Sequence, residues 1–341
     1  MKDETLAIHA GYQTDPTTKA VAAPIYQTVA FEFDNAQHGA DLFNLAVPGN
    51  IYSRIMNPTC DVLEQRVAAL EKGIAGLALS AGSAAVNYSI LNLAEAGDNI
   101  VTVPQLYGGT YTLFAHMLPK QGIEARFAED DSPAALEKLI DDKTKAVFFE
   151  TIGNPAGNIV DVAAVCAMAR SHGVATIADN TVATPVLLKP IEHGVDIVVH
   201  SLTKYMGGHG TTLGGIIVDS GQFPWTQHAQ RYRALNEPEP SYHGVVFTEA
   251  MGPAAYIARA RTVPCRYAIP ARRSRRSTRS CCCKASKPCR CAWSGTATMH
   301  WRSRSTSRIT RRWSGSASPA CPAIAITRWR RSTCAGVPRA P

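Results

Sequence analysis

Short apolar runs alternate with segments of helical periodicity through the first three-quarters of the chain. After a turn-rich N-terminal arm, Thr59 can cap a helix whose apolar face extends to Leu70, before a stop at Gly73. The later apolar runs predict strands at 77–80, 99–103, 146–150, 176–179 and 196–200. Between most of them, the periodicity predicts helices near 83–94, 109–118, 132–140 and 161–171.

This alternation predicts an α/β fold with a mostly parallel sheet and helices on both faces. In such sheets ligands bind at the carboxyl ends of the strands, so the loops that follow the strands are the places to search for chemistry. We expect three regions along the chain: an N-terminal arm at 1–59, a large domain at 60–263 and a tail at 264–341.

Charge is distributed unevenly between the large domain and the tail. Residues 264–341 contain sixteen Arg and two Lys but no Asp or Glu, so the tail carries +18 and leaves −10 of the total +8 for residues 1–263. The tail also lacks the apolar periodicity of the body and holds eight of the ten cysteines. This composition is typical of a GC-rich coding sequence translated out of frame, and we expect the tail to be disordered.

A natural basic tail that binds nucleic acid is the alternative, with its four tryptophans as stacking groups. We do not favour it, because charge and scattered aromatic residues need an organised surface to bind nucleic acid. The tail cysteines lack the paired spacing of a zinc site, so no metal is expected.

The body has the composition of a cytoplasmic protein. Only Cys60 and Cys166 precede the tail, which suits a reducing compartment. The first ten residues include no apolar segment of the kind that begins a signal peptide, and no run approaches the roughly 20 apolar residues of a membrane helix. We therefore expect no membrane partner.

Lys204 directly follows the last predicted strand, in the run Ser201-Leu202-Thr203-Lys204. A lysine amine is a poor nucleophile while protonated, but desolvating or cationic surroundings lower its pKa enough for it to form an imine with an aldehyde. The hydroxyls of Ser201 and Thr203 are placed to bind a phosphate, and the glycines that follow allow the backbone to approach a bulky ligand. A lone lysine after a strand is usually only solvated, so the residues around Lys204 are what indicate a ligand-binding role.

Three other strand ends offer chemistry that fits a phosphorylated, aromatic aldehyde. Gly82-Ser83 follows a strand and opens a helix, where backbone amides can bind a phosphate. Tyr107 lies in a Gly-flanked loop, from which a flat ring could stack on another ring. Asp179 ends an apolar strand, where a carboxylate is costly to bury unpaired and a pyridinium nitrogen would be a suitable partner.

Together these residues resemble the Cys/Met-metabolism family of fold-type I pyridoxal-phosphate enzymes, from about Thr5 to Val263. Within the family the chain is most similar to the O-acetylhomoserine sulfhydrylase branch, also called O-acetylhomoserine aminocarboxypropyltransferase. The resemblance is carried by AIHAGY at 7–12, PIYQT at 24–28, NIYSRIMNPT at 50–59, ETIGNP at 150–155 and HSLTK at 200–204.

The resemblance implies a role for each matching residue. Lys204 would bind pyridoxal 5'-phosphate as a Schiff base and act as the catalytic acid and base, with Tyr107 stacked on the ring as the second catalytic residue. Asp179 would keep the pyridine nitrogen protonated, and Asn154 would approach the ring hydroxyl and the substrate carboxylate. The phosphate would be bound by Gly82, Ser83, Ser201 and Thr203.

The resemblance also implies a homotetramer built as a dimer of dimers, because Tyr52 and Arg54 match the family's Tyr-x-Arg, which reaches the phosphate of a neighbouring subunit. Ser83 differs from the Gln or Met that is usual in the family, which spares a backbone contact but alters side-chain contacts.

The activity implied is a γ-replacement on O-acetyl-L-homoserine by sulfide or a thiol, giving homocysteine or methionine and acetate in sulfur amino-acid metabolism. Cystathionine γ-synthase or a γ-lyase is the alternative within the family. We favour the sulfhydrylase because of ETIGNP at 150–155 and the long loop expected from Gly39 to Asn50. An inactive product is a further alternative, since the family's C-terminal α+β domain, with its substrate-binding arginine, has no counterpart in the tail.

Overall fold

Seven strands form one sheet in the computed structural model of the chain, which describes residues 1–44 and 46–263. The strands are β1 (Ala75–Leu79), β2 (Asn99–Thr102), β3 (Glu124–Phe127), β4 (Thr144–Glu150), β5 (Ala175–Asp179), β6 (Ile197–Ser201) and β7 (Gly215–Asp219). Their order across the sheet is β1-β7-β6-β5-β4-β2-β3. The expectations for the tail at 264–341 lie outside the described residues.

The predicted fold class is confirmed, because five of the strands form a parallel block. Strands β6, β5, β4, β2 and β3 pair in parallel, whereas β7 runs antiparallel to both β1 and β6. Nearly every residue of β4 to β7 is buried. Since successive side chains of a strand point to opposite faces, both faces of this part of the sheet are covered.

Two strands were not predicted from the sequence. The edge strand β3 is short, and its residues are exposed or only half-buried, so its apolar pattern is weak. β7 directly follows the glycine-rich run after Lys204, which the sequence analysis interpreted as a ligand-contacting loop.

Eleven α-helices occur in the described part of the chain. They are α1 (Asp3–His9), α2 (Ala36–Phe43), α3 (Pro58–Glu71), α4 (Gly82–Leu91), α5 (Gly108–Thr112), α6 (Pro133–Glu137), α7 (Val162–Ser171), α8 (Thr184–Leu187), α9 (Arg233–Asn236), α10 (Phe247–Met251) and α11 (Ala255–Thr262). A π-helical turn (Leu113–Met117) extends α5, so the helix predicted near 109–118 is present with a changed hydrogen-bond pattern. None of these helices has the length and apolar character needed to cross a membrane.

The ends of α3 differ from the prediction by one or two residues. Asn57, and not Thr59, is the N-cap, since its side chain accepts the N–H of Thr59 at 2.9 Å. The Thr59 hydroxyl instead joins the arm, accepting the N–H of Tyr26 at 2.9 Å. The helix ends at Lys72, which adopts the left-handed conformation (φ 65°) one residue before the expected stop at Gly73.

The prediction of a long loop between Gly39 and Asn50 was also wrong in part. Helix α2 includes residues up to Phe43, and its N-cap Asn35 accepts the N–H of His38 at 2.9 Å. In the structure Gly39 is needed for packing, because a Cβ there would lie 2.9 Å from the ring of Phe33.

The last described helix is tied to the first strand of the sheet. In α11, the Arg261 guanidinium donates to Oε2 of Glu64 at 2.6 Å and to the carbonyl of Gly76 at 2.9 Å. All described residues fall within one compact unit.

Asp219, at the end of β7, makes the stability of the fold depend on pH. Its carboxylate accepts the N–H groups of Gly221 at 2.9 Å and Ile257 at 3.2 Å, and burial raises its pKa to about 7. The folded chain therefore holds this proton more tightly than the unfolded chain does. The resulting stabilisation is complete below the unfolded pKa of 3.8 and is lost as the pH rises through about 7.

We expect Asp219→Asn to remove this dependence. The free energy of unfolding of the variant, relative to that of the unsubstituted chain, should increase by on the order of 4 kcal/mol between pH 4 and pH 8. Urea unfolding at a series of pH values measures the difference. A difference that stays constant with pH would show that another group is responsible.

Candidate functional site

The carboxyl ends of four strands lie at the same edge of the sheet. Strands β4, β5 and β6 are parallel, so Glu150, Asp179 and Ser201 end side by side. In the antiparallel partner β7, Gly215 is in register with both Ser201 of β6 and Leu79 of β1. The loop after β1 therefore meets the loop after β6 across β7.

Gly82 and Ser201 come together where these two loops meet. A Cβ on Gly82 would lie 2.5 Å from the Cβ of Ser201, so only glycine allows the first turn of α4 to approach this closely. No side chain caps α4, which leaves the N–H groups of Gly82 and Ser83 available to an anion. Ser83 follows in this turn and is exposed. The predicted phosphate residues Gly82, Ser83 and Ser201 thus share one place.

Thr203 has a different contact from the one expected. Its hydroxyl donates to the carbonyl of Gly214 at 3.2 Å and accepts the N–H of the same residue at 3.1 Å. The single hydroxyl proton is thereby used, and Thr203 closes the loop between β6 and β7. A phosphate contact by this hydroxyl would require the bond to the Gly214 carbonyl to be exchanged.

Lys204 is exposed in the same loop. Its backbone N–H donates to the carbonyl of Ser201 at 3.2 Å, and its own carbonyl accepts the N–H of Gly208 at 2.8 Å. Gly208 has a positive φ of 68°, which turns the chain after the lysine. The amine makes no hydrogen bond or ion pair with the described residues, so it is available to a ligand at the strand ends.

Asp179 forms no salt bridge with the described side chains. Its Oδ1 accepts the backbone N–H of Thr181 at 2.9 Å. Burial raises the pKa of this carboxyl, while hydrogen bonds from Thr181 and the nearby charge of His200 oppose the increase. A carboxylate in this setting would be stabilised by a cation, and a protonated ring nitrogen is a fitting one.

Tyr107 and Asn154 are brought together by Glu150. Oε1 of Glu150 accepts the backbone N–H of Tyr107 at 2.6 Å, and Oε2 accepts that of Asn154 at 3.2 Å. The ring of Tyr107 is about half exposed, and it lies so close to Gly109 that a Cβ there would be 2.6 Å from the ring. Gly109 therefore makes room for the aromatic ring at the start of α5.

Tyr52 and Arg54 contact each other within the N-terminal arm. The Arg54 guanidinium lies 5.0 Å from the centre of the Tyr52 ring, a cation–π contact. Around them Ala30 and Tyr52 form an antiparallel bridge, and the N–H of Ser53 donates to Val29 at 2.8 Å. These two side chains thus contact each other, in a segment held to the preceding part of the arm.

A buried hydrogen-bonded network joins the residues next to the strand ends. Oε1 of Glu71, the last residue of α3, lies 2.5 Å from Nε2 of His200 and 3.1 Å from Nδ2 of Asn180. The hydroxyl of Thr151 donates to Oδ1 of Asn180 at 2.9 Å. His200, Asn180 and Thr151 are the sequence neighbours of Ser201, Asp179 and Glu150, so this network holds three strand ends in place.

Glu150 and Glu71 were given no role in the sequence analysis. Glu150 carried a usable signal, since it ends an apolar strand as Asp179 does and a buried carboxylate there needs partners. Glu71 carried none, because its contact with His200 joins residues 129 apart in the sequence. The His200 side chain is completely buried in this network, which fits a structural role.

The family model "Cys/Met metabolism PLP-dependent enzyme" matches residues 4–263. Among similar proteins, the homocysteine/cysteine synthase of Kluyveromyces lactis is 49% identical over 261 residues, which cover 76% of this chain and 59% of that protein. The homocysteine synthase of Schizosaccharomyces pombe is 50% identical over 260 residues, covering 76% and 61%. O-acetyl-L-homoserine sulfhydrylase 1 of Thermus thermophilus is 51% identical over 263 residues, covering 76% and 62%.

Two solved structures resemble the fold. One, from Campylobacter jejuni, is described as an O-acetylhomoserine (thiol)-lyase with a pyridoxyl-lysine phosphate residue. It has a TM-score of 0.81 and 39% identity, covering 92% of this chain and 74% of that one. The other is a cystathionine γ-lyase from Lactobacillus plantarum, with a TM-score of 0.60 and 33% identity, covering 78% and 64%. The chain matches only about 60% of the length of the first relatives named above.

Proposed function

The chain belongs to the Cys/Met metabolism family of PLP-dependent enzymes, and on that premise we propose that it is an O-acetylhomoserine sulfhydrylase. It would replace the acetate of O-acetyl-L-homoserine by sulfide or a thiol, giving homocysteine or methionine. The observation that carries the proposal is the meeting of Lys204, Asp179, Ser201 and the first turn of α4 at one edge of the sheet.

The residues at this edge fit pyridoxal phosphate. The first turn of α4 and the Ser201 hydroxyl offer donors to a phosphate, and a Cβ at Gly82 would fill the space between them. Asp179 offers a carboxylate that forms no salt bridge with the described residues. It ends β5, which pairs in parallel with β6, the strand that Ser201 ends. Lys204 offers a primary amine on the next loop. The N–H and hydroxyl donors, the carboxylate and the amine therefore match the phosphate, the ring nitrogen and the aldehyde of the cofactor, respectively.

When bound, pyridoxal phosphate supplies an electron sink for bond breaking at the Cα and Cβ atoms of an amino acid. Lys204 would hold the cofactor and then, as a free amine, move the proton of the substrate Cα. Asp179 would keep a proton on the ring nitrogen. Tyr107 would cover the ring and exclude water from it, and Asn154 would orient the substrate carboxylate.

The sulfur donor separates this proposal from its alternative. Cystathionine γ-synthase and γ-lyase would use the same cofactor residues, and one similar structure is a γ-lyase. We expect the chain to release acetate from O-acetyl-L-homoserine faster with sulfide than with cysteine. Rates of acetate release with each donor at equal concentration measure this, and a preference for cysteine would favour the synthase.

We further propose that the enzyme is a cytoplasmic homotetramer in which Tyr52 and Arg54 serve the phosphate site of a neighbouring subunit. The match of these two residues to the family's Tyr-x-Arg, within the part of the chain that the family model covers, supports this assignment. Light scattering measures the mass. In a mixture of Lys204→Ala and Arg54→Ala chains, restored turnover would support a shared site, whereas no restoration would oppose it.

For the tail, we propose that residues 264–341 are an out-of-frame translation and not a natural domain. The family match ends at residue 263, and no acidic residue follows Glu249. Translation of the coding sequence from this point in the other two frames is the test. A shifted frame without a regular helix and strand pattern would count against the proposal.

Gly82→Ala should weaken binding of pyridoxal phosphate by about tenfold to a hundredfold. The added Cβ would lie 2.5 Å from that of Ser201, so α4 must move away from the phosphate position. A lost charge-assisted hydrogen bond has an effect of this size. Titration followed by absorbance measures the dissociation constant. Ser83→Ala, in the same turn but exposed, is the matched control and should change it by a few-fold at most.

A further inference from the structure

Glu150 connects two loops that approach the proposed cofactor from different elements. The Tyr107 loop lies between β2 and α5, whereas the Asn154 loop follows β4, the strand that Glu150 itself ends. One carboxylate oxygen accepts the backbone N–H of Tyr107 at 2.6 Å, and the other accepts that of Asn154 at 3.2 Å. Glu150 is only 4% exposed. The two contacts therefore use both oxygens of one buried side chain.

Burying the Glu150 carboxyl group costs free energy, and so would removing it. Burial raises the pKa of Glu150 to about 8, and the charge of Asp179 adds to the increase, while the two N–H donors oppose it. No cation is paired with Glu150 among the described residues, so the two backbone N–H groups are the donors that oppose this rise in pKa. Removal of the carboxylate would leave two N–H groups without their acceptor.

We propose that Glu150 is a positioning residue that sets the separation between Tyr107 and Asn154, and that the two loops move together because they share it. This inference rests on the proposed function only in assigning both residues to the cofactor site. The coupling between the loops is a property of the chain itself. In the family's chemistry it would keep the Tyr107 ring and the Asn154 amide in register on one cofactor, as a precise site requires.

Hydrogen exchange of the cofactor-free, full-length chain tests the coupling directly. Glutamine at position 150 has one acceptor oxygen and one NH₂ donor, so Glu150→Gln can retain at most one of the two contacts. We expect amides in peptides 104–110 and 152–157 to exchange about tenfold to a hundredfold faster in Glu150→Gln, while those of strand β4 remain protected.

Asp219→Asn is the matched control, because Asp219 is also a buried carboxylate that accepts two backbone N–H groups through separate oxygens. It lies at the opposite end of the sheet. This variant should leave the two loops unchanged relative to β4. Equal acceleration in both variants would reduce Glu150 to a general contributor to stability and overturn the proposal.

Gly109→Ala tests the coupling with Glu150 intact, and so remains informative if Glu150→Gln does not fold. A Cβ at this position would lie 2.6 Å from the Tyr107 ring, so the ring and the Tyr107 loop that carries it would have to shift. If the loops share Glu150, exchange in 152–157 should also increase. Acceleration confined to 104–110 would show that the loops are independent.

A spectroscopic measurement then separates positioning from stability. In chains loaded with pyridoxal phosphate, Glu150→Gln should change the circular dichroism of the cofactor band, because the stacked Tyr107 ring has shifted. Asp219→Asn should not change it. If the unsubstituted chain forms no cofactor band, the proposed function fails, whereas the exchange experiment still decides the coupling. An unchanged dichroism in Glu150→Gln would overturn the positioning role.

Discussion

Replacing Lys204 with alanine should abolish the visible absorbance band that forms when pyridoxal phosphate is added to the purified chain. The amine of Lys204 is exposed at the strand ends and makes no bond to the described residues, so it is free to bind an aldehyde. Its loss would remove both the proposed covalent link and the proposed base at the substrate Cα. Turnover of O-acetyl-L-homoserine should fall by about a thousandfold or more.

Borohydride reduction followed by peptide mapping identifies the linked residue without any turnover. In the unsubstituted chain, the peptide that contains Lys204 should gain the mass of the reduced cofactor, and in Lys204→Ala no peptide should gain it. Lys143→Ala is the control, because Lys143 is an exposed lysine at the opposite edge of the sheet. A labelled peptide in Lys204→Ala would show that another lysine forms the link to the cofactor.

Asp179→Asn should lower turnover by about a hundredfold or more while pyridoxal phosphate still binds. The asparagine has nearly the same shape, and its oxygen can still accept the N–H of Thr181, as Oδ1 does now at 2.9 Å. What it lacks is the negative charge that would hold a proton on the ring nitrogen. Loss of one charge interaction in a site that excludes water typically has an effect of this size on the rate.

Two measurements together identify the role of Asp179. The absorbance titration should give a dissociation constant within about tenfold of the original, since Lys204 and the phosphate donors are intact, whereas kcat should fall. If both binding and turnover are unchanged, Asp179 does not contact the ring. If the chain unfolds, the carboxylate serves the sheet and not the cofactor.

Periodicity predicted the elements that are long or fully apolar, and failed where a local signal was weak. The helices near 83–94 and 161–171 and the strands from β4 to β6 are present close to where they were expected. β3 was missed because it is a short, partly exposed edge strand. Helix α2 was missed because Gly39 lowers the helical signal, although it is required by the Phe33 ring beside it.

The sequence located several candidate site residues at strand ends, but it did not show their contacts. Lys204, Asp179, Ser201 and Gly82 follow strand ends, and parallel strands bring such ends to one edge. Thr203 was assigned to a phosphate from its position, yet its hydroxyl is bonded to Gly214 on the far side of the loop. A spacing of residues cannot show which acceptor a hydroxyl meets.

By itself, the sequence determined the alternation of the main strands and helices, the family and the chemical groups available at the strand ends. These depend on local periodicity and on motifs, which are legible along the chain. The tertiary structure decided that β7 lies between β1 and β6, so that Gly82 meets Ser201, and that Glu150 connects the Tyr107 and Asn154 loops. The Tyr107–Glu150 contact joins residues 43 positions apart, and Gly82 and Ser201 are more than a hundred positions apart. Such contacts arise from sheet order and burial, which no local pattern specifies.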